Sequence, residues 1–296
     1  MPIISNNNIT AEISLHGAEM IRLQKSGKDL LWNADPTYWK RNAPILFPIV
    51  GKVFDGKYLV NGKEYQLPQH GFARDMDFVV VSHKAESISL ELKSNAETLA
   101  KYPFEFVLRA TYTLCGNGIN ACWTIENPSD KTMHFQIGAH PAFRYDGFQA
   151  EDAVHGYLQL LHKSAEGYVP VNELQVREFL PQGYVSDKKH CWSLQNGTTP
   201  LTDPLFEQGA IILEDSQVQQ AILQDKERNE ILRVTFDQAP VLGIWSPEGK
   251  QAPFVCIEPW MGRCDQEGYH GEFSQRDWNN TLKPHSSSTF SYSITF

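Results

Sequence analysis

An all-β chain, folded as a sandwich or a barrel, is what this sequence predicts, and three observations carry the prediction. Short segments of alternating apolar and polar residues recur along the chain, each closed by Gly, Asn, Asp or Pro, as in half-buried strands joined by tight turns. Asn61-Gly62 separates two such segments and suits a two-residue loop in which both central residues need positive φ. Capped runs of helical periodicity beyond ten residues are hard to find. Many short strands with little helix close most readily as a sandwich or barrel.

Taken in order, ITAEISLHGAEMIRLQKSGKDLLW supplies two or three strands, the last reached through Ser26-Gly27-Lys28. Asp35 to Arg41 reads as a short turn of helix. GKYLVNGKEYQL is the Asn61-Gly62 hairpin, DFVVVSHKAESISLELKSN a second strand pair, and FEFVLRATYTLCGNGINACWTIEN a third around Gly116-Asn117-Gly118. From His140 to Leu205, PQGYVSDKK and LQNGTTPLTDPLF break the pattern, and long connections over one face or edge are expected there. Strands resume in AIILEDSQVQQAILQDKERNEILRVTF and finish at STFSYSITF. No linker, internal repeat or low-complexity tract interrupts the chain, so residues 1–296 read as one domain.

Composition narrows the function. Apolar residues make up 41% and charged residues 21% of 296, a soluble globular balance with material for a sizeable core. Against 35 acidic side chains stand 26 basic ones, net -9. Such a surface repels phosphate backbones and anionic lipid unless basic residues are concentrated, and the densest clusters are the pairs Lys40-Arg41 and Lys188-Lys189. Neither a nucleic-acid nor a membrane partner is expected. MPIISNNNITAEISL shows no basic leader, and no segment approaches the roughly 18 apolar residues that span a bilayer. Five dispersed cysteines without a CxxC pair read as reduced thiols, and a cytoplasmic location follows as the expectation.

Three segments place ionisable side chains beside Gly or Pro at the ends of apolar runs: QHGFARD at 69–75, FQIGAHPAF at 135–143 and APFVCIEPW at 252–260. Glu258, between Ile257 and Pro259-Trp260, is either an edge residue facing water or a carboxylate near apolar groups, where desolvation raises its pKa toward neutrality. His140 is a satisfied core histidine or a site residue. His70 caps local backbone or faces a ligand, and Arg74 pairs with Asp75 or Asp77 or points inward. Other chemistries lack their motifs: no P-loop, no GxGxxG after a strand, no HExxH, no cysteine-histidine cluster at zinc spacing and no GxSxG elbow. The ten histidines are too dispersed to name a metal site.

ILFPIVGKV at 45–53, QHGFARDMDF at 69–78, IGAHPAF at 137–143, VLGIWSP at 241–247 and FVCIEPWMGRCD at 254–265 together carry a resemblance. In that order they resemble the aldose 1-epimerase (mutarotase) superfamily, and within it the bacterial LacX-type and hexose-6-phosphate mutarotase-like branch. The resemblance implies a large antiparallel β-supersandwich, galactose mutarotase-like, with a sugar cleft across one sheet. It implies that Glu258 is the general base, His140 the general acid and His70 a histidine that orients the sugar ring. Arg74 resembles the arginine of the HGFAR segment in the phosphosugar branch, and Asp237 stands near where the family places a carboxylate for sugar hydroxyls. Where galactose mutarotases carry a GRxxNR-like segment, this chain has Gly51-Lys52-Val53-Phe54-Asp55-Gly56, and the ammonium of Lys52 does not reproduce a guanidinium fork. Arg41 and Arg263 are further basic candidates around a phosphate, and Trp245, Trp260 and Phe143 candidate platforms for a sugar ring or members of the core.

The reaction so implied interconverts α and β anomers with no metal and no other cofactor. Glu258 is expected ionised and His140 protonated, held so by neighbouring carboxylates. The partner is a small-molecule sugar or sugar phosphate, for a monomer or homodimer. A non-catalytic carbohydrate-binding or sensory protein that keeps the cleft is the alternative.

Overall fold

The computed structural model describes residues 1–296. Two large antiparallel sheets dominate. The first, ten-stranded, runs Gly167–Pro170, Gly156–Ser164, Gln220–Gln224, Glu230–Thr235, Ser287–Thr295, Gly118–Glu126, Val107–Cys115, Ser87–Lys93 and Val79–Lys84, with Thr198–Leu201 added beside Gly156–Ser164. The second, eight-stranded, runs Val185–Ser193, Glu173–Phe179, Ile211–Leu213, Val241–Trp245, Phe254–Met261, Ile137–Ala139 and Ile45–Leu46. Its eighth strand, Ala142–Arg144, pairs with Phe254–Met261. A four-stranded sheet at the N-terminus and two short ribbons complete the β structure. The predicted β class is what forms, with the large antiparallel sheets that the resemblance implied.

Apolar side chains from both large sheets, such as Leu108, Ala110 and Ile294 on one and Leu242, Ile244 and Ile257 on the other, belong to one cluster of 61 buried residues. The period of two along a strand then decides what lies behind the core. In Phe254–Met261, Val255, Ile257 and Met261 enter that cluster. Phe254, Cys256, Glu258 and Trp260 therefore emerge on the other face, where loops cover them, so every residue of the strand is buried. A strand covered on both sides shows no polar alternation in its sequence.

The local turn chemistry acts as expected. Asn61 and Gly62 adopt φ of 52° and 73° between Lys57–Val60 and Lys63–Gln66, and Gly116-Asn117 joins Val107–Cys115 to Gly118–Glu126. Asp35 to Arg41 makes the short turn expected and no more: the Asp35 carbonyl accepts the amides of Tyr38 and Trp39, and the chain then leaves. The sole α-helix is Ala96–Lys101, started by a capping box between Asn95 and Thr98. The stretch from His140 to Leu205 holds the strands Gly156–Ser164, Glu173–Phe179 and Val185–Ser193 rather than long connections. Val185–Ser193 ends its sheet and is mostly exposed, so its polar residues hide the alternation that marks a half-buried strand. No helix is long and apolar enough to cross a membrane.

Candidate active site

A cleft of about 570 Å³ opens on the outer face of the eight-stranded sheet. Its floor is built by an interruption in that sheet. Ile137–Ala139 and Ala142–Arg144 lie one after the other along the same edge of Phe254–Met261, with Gly138 opposite Trp260 and Ala142 opposite Cys256. Between them Pro141 has no N–H with which to continue the ladder, while its carbonyl accepts from Ile257 at 3.3 Å. His140 is thus displaced into the gap and faces Glu258. Its Nε2 lies 3.2 Å from Glu258 Oε2, and Glu258 is 1% exposed.

Tryptophans and glycines shape the surroundings. The Trp39 ring stacks on His140 at 4.7 Å, and the Trp245 ring meets it edge-on at 5.6 Å. Trp260 lies across the sheet over Gly243 and Gly138; a Cβ on either glycine would come within 2.5 or 2.6 Å of its ring. Its indole N–H donates to the Ala139 carbonyl. Phe143, a third candidate platform, is instead fully buried in the main core.

His70 reaches the site through a strained turn. Both His70 and Gly71 are left-handed, with φ of 65° and 69°. The His70 amide donates to the Gly51 carbonyl, and the Gly51 amide donates to His70 Nδ1 at 3.1 Å. With Nδ1 accepting, the neutral ring carries its hydrogen on Nε2. The ring stands edge-on to His140 at 5.5 Å.

One wall is basic. Arg74, Arg41 and Lys52 all line the cleft. Arg74 Nη2 donates to the Gln69 carbonyl at 2.7 Å, and its Nε is 3.7 Å from Asp75 Oδ2 and without a hydrogen-bond partner. Asp75 gives its short contact, 2.7 Å, to Arg41. Beneath them buried Glu19 accepts the amides of Asn42 and Ala43 at 2.6 and 2.8 Å, pinning the loop that carries Trp39 and Arg41. Lys52 donates to the Gln182 carbonyl of the opposite wall at 2.7 Å. The alternatives for Arg74 therefore resolve into both: it touches Asp75 loosely and lines the cleft.

The electrostatics reverse one expectation. Burial raises the Glu258 carboxyl well above its usual range, against the pull of the Trp260 indole. Burial, with Arg74 and Arg41 adding to it, pushes His140 down to about 3. His70 is lowered well below the ordinary histidine value by burial first and then by His140 and the basic wall. Burial thus favours neutral His140 and protonated Glu258 over the ion pair, because both charged forms pay desolvation that no second carboxylate offsets.

Two candidates lie elsewhere. Asp237 is not in the cleft: it follows Glu230–Thr235 of the ten-stranded sheet, and its carboxylate binds Lys163 and, at 2.6 Å, the Tyr168 hydroxyl. Asp237→Asn is accordingly expected to leave activity within about twofold, the range of a surface change remote from the site, as measured by kcat/KM. Arg263 is 2% exposed and committed to Glu214 at 2.6 Å and to Asp277. Trp39 and Gln69, which also line the cleft, were missed, and neither is marked by a motif of its own.

The chain matches the profile of the aldose 1-epimerase family over residues 3–295. It is 31% identical over 268 residues to the plasmid-encoded LacX protein of Lactococcus lactis, an alignment covering 88% of this chain and 87% of that one. Among solved structures it is similar to a galactose mutarotase related enzyme from Lactobacillus acidophilus, with 34% identity, TM-score 0.89, and coverage of 99% and 96%. It is also similar to a galactose mutarotase-like protein from Lactobacillus casei, with 32% identity, TM-score 0.90, and coverage of 100% and 99%.

Proposed function

The chain belongs to the aldose 1-epimerase family, and from that premise we propose that it interconverts the α and β anomers of an aldose, a hexose or hexose phosphate, through Glu258 and His140. The observation that carries this reading is the 3.2 Å approach of His140 Nε2 to Glu258 Oε2 on the cleft floor. One proton on the pair gives the ionised arrangement when His140 holds it and the neutral one when Glu258 does. Sugar hydroxyls in the cleft supply hydrogen bonds that favour the charged arrangement.

From the charged arrangement, Glu258 removes the proton of the anomeric hydroxyl while His140 gives its proton to the ring oxygen. The C1–O5 electron pair moves to O5, C1=O1 forms, and the ring opens to the aldehyde. This step leaves Glu258 protonated and His140 neutral, the arrangement that burial itself favours. Rotation about C1–C2 and reversal of both transfers close the ring with inverted configuration. His70, its hydrogen on Nε2, donates to a sugar oxygen and fixes the ring; Trp39 and Trp245 border the reacting face.

Following the optical rotation of freshly dissolved α-glucose, α-galactose and glucose 6-phosphate tests the activity. No acceleration over the spontaneous rate for any aldose in a wider panel would remove it.

Arg74, Arg41 and Lys52 on one wall of the cleft favour a substrate with an anionic group. A hydrogen bond to a charged group is worth about 1.5 to 3 kcal/mol. Arg74→Ala is expected to lower the ratio of kcat/KM for glucose 6-phosphate over glucose by about 10- to 100-fold. An unchanged ratio would assign the arginine to the structure of the wall.

Residues 1–296 act here as one domain, supported by a core cluster whose members run from Ile4 to Ile294. A cytoplasmic setting fits the five cysteines, all of which are free.

A further inference from the structure

Cys256 precedes Glu258 by two positions in the strand Phe254–Met261, so both side chains leave on the same face of the strand, Glu258 into the cleft and Cys256 beside it under cover. Ligand atoms of Cys256, Glu258 and His140 lie within 4.8 Å of one another, and all three residues are buried. Nothing in the acid–base reaction uses the thiol. Glu258 Oε2 and His140 Nδ1 have no aligned hydrogen-bond partner, although Oε2 is 3.2 Å from His140 Nε2. A buried thiol, imidazole and carboxylate converging in this way form a mixed S, N and O donor set of the kind borderline divalent metals take. Ligation at bond lengths of about 2.0 to 2.3 Å requires the three ligand atoms, within 4.8 Å of one another, to draw closer together. Glu258 and His140 line the cleft, from which water or a sugar hydroxyl supplies the fourth ligand of a tetrahedron.

We propose that Cys256, Glu258 and His140 form a binding site for a zinc-class divalent cation, and that the bound ion shuts off anomer exchange by engaging both proton-transferring groups. Binding releases the Cys256 thiol proton, and any proton on Glu258, to solvent. Mg²⁺ and Ca²⁺, which demand oxygen ligands, are excluded by the sulfur and nitrogen. The ligation stands on the side-chain cluster alone; only the inhibition rests on the function proposed above.

Co²⁺ alone is the probe, titrated into the full, reduced, metal-free protein. A near-ultraviolet thiolate-to-cobalt charge-transfer band, saturating at one ion per chain, is expected. Cys256→Ser should lose that band, weaken Co²⁺ binding by at least about 100-fold, keep anomer exchange and escape inhibition by Zn²⁺. Cys256→Ala, which buries no hydroxyl, is the second variant and should behave alike. No band in the parent protein overturns the proposal. So does a band that persists in both variants, which would place the thiolate at exposed Cys115 or Cys191. If the parent protein turns over no aldose, the cobalt spectrum still decides the metal site.

Discussion

Glu258→Gln and His140→Asn are each expected to cost about 10² to 10⁴ in kcat, the usual worth of a positioned proton transfer. The double variant should lose little more than the worse single one, because one proton serves both residues and neither acts without the other. Both proteins should remain folded. Burial favours the protonated form of Glu258, so glutamine replaces a neutral group by a neutral group of the same shape. Asparagine in place of neutral His140 leaves the Trp39 and Trp245 rings without their partner, a packing loss rather than an unpaired charge. Polarimetry on the parent and the three variants, with circular dichroism as the folding control, makes the comparison. Near-parental rates in both single variants would sink the assignment of the pair.

Gly71→Ala should be the most damaging backbone change near the site. At φ 69° any Cβ costs about 1 to 2 kcal/mol. A Cβ there would also stand 2.2 Å from the Phe47 carbonyl oxygen and 2.7 Å from Pro48 Cδ. That oxygen accepts the amides of Phe72 and Ala73 at 3.0 and 3.1 Å, so it cannot retreat without breaking both bonds. Overpacking typically adds about 1 to 3 kcal/mol, and the sum is about 2 to 5. Urea denaturation measures it. Gly62→Ala is the control: its φ is 73°, but a Cβ there meets nothing within 4 Å, so it isolates the backbone strain. Equal losses at the two positions would show that the close approach to Phe47 carries no weight. Because His70 immediately precedes Gly71, the damaged protein should also lose activity beyond its loss of folded fraction.

Features set by neighbouring residues were legible in the sequence. The Asn61-Gly62 hairpin, the strand pairs flanking it and the β class follow from local alternation and turn chemistry, which act within a few residues. His140 and Glu258 were legible as candidates, each an ionisable group against a proline in an apolar run. Asp237 shows where such reasoning stops: it is a few residues from the floor strand Val241–Trp245, yet the strand before it belongs to the other large sheet. The strand Val185–Ser193 shows the same limit from the side of the fold, since an exposed edge leaves no hydrophobic pattern.

By itself, then, the sequence determined the β architecture, its tight turns and the identity of the groups able to exchange a proton. Only the tertiary structure decided that His140 and Glu258 meet, because the contact depends on two short strands lying in line along one edge of Phe254–Met261, with Pro141 between them. It also decided which protonation burial favours. A pKa is set by everything that excludes water from a group, and here that is the outer face of one sheet, three tryptophans and a loop pinned by Glu19, brought together from distant parts of the chain.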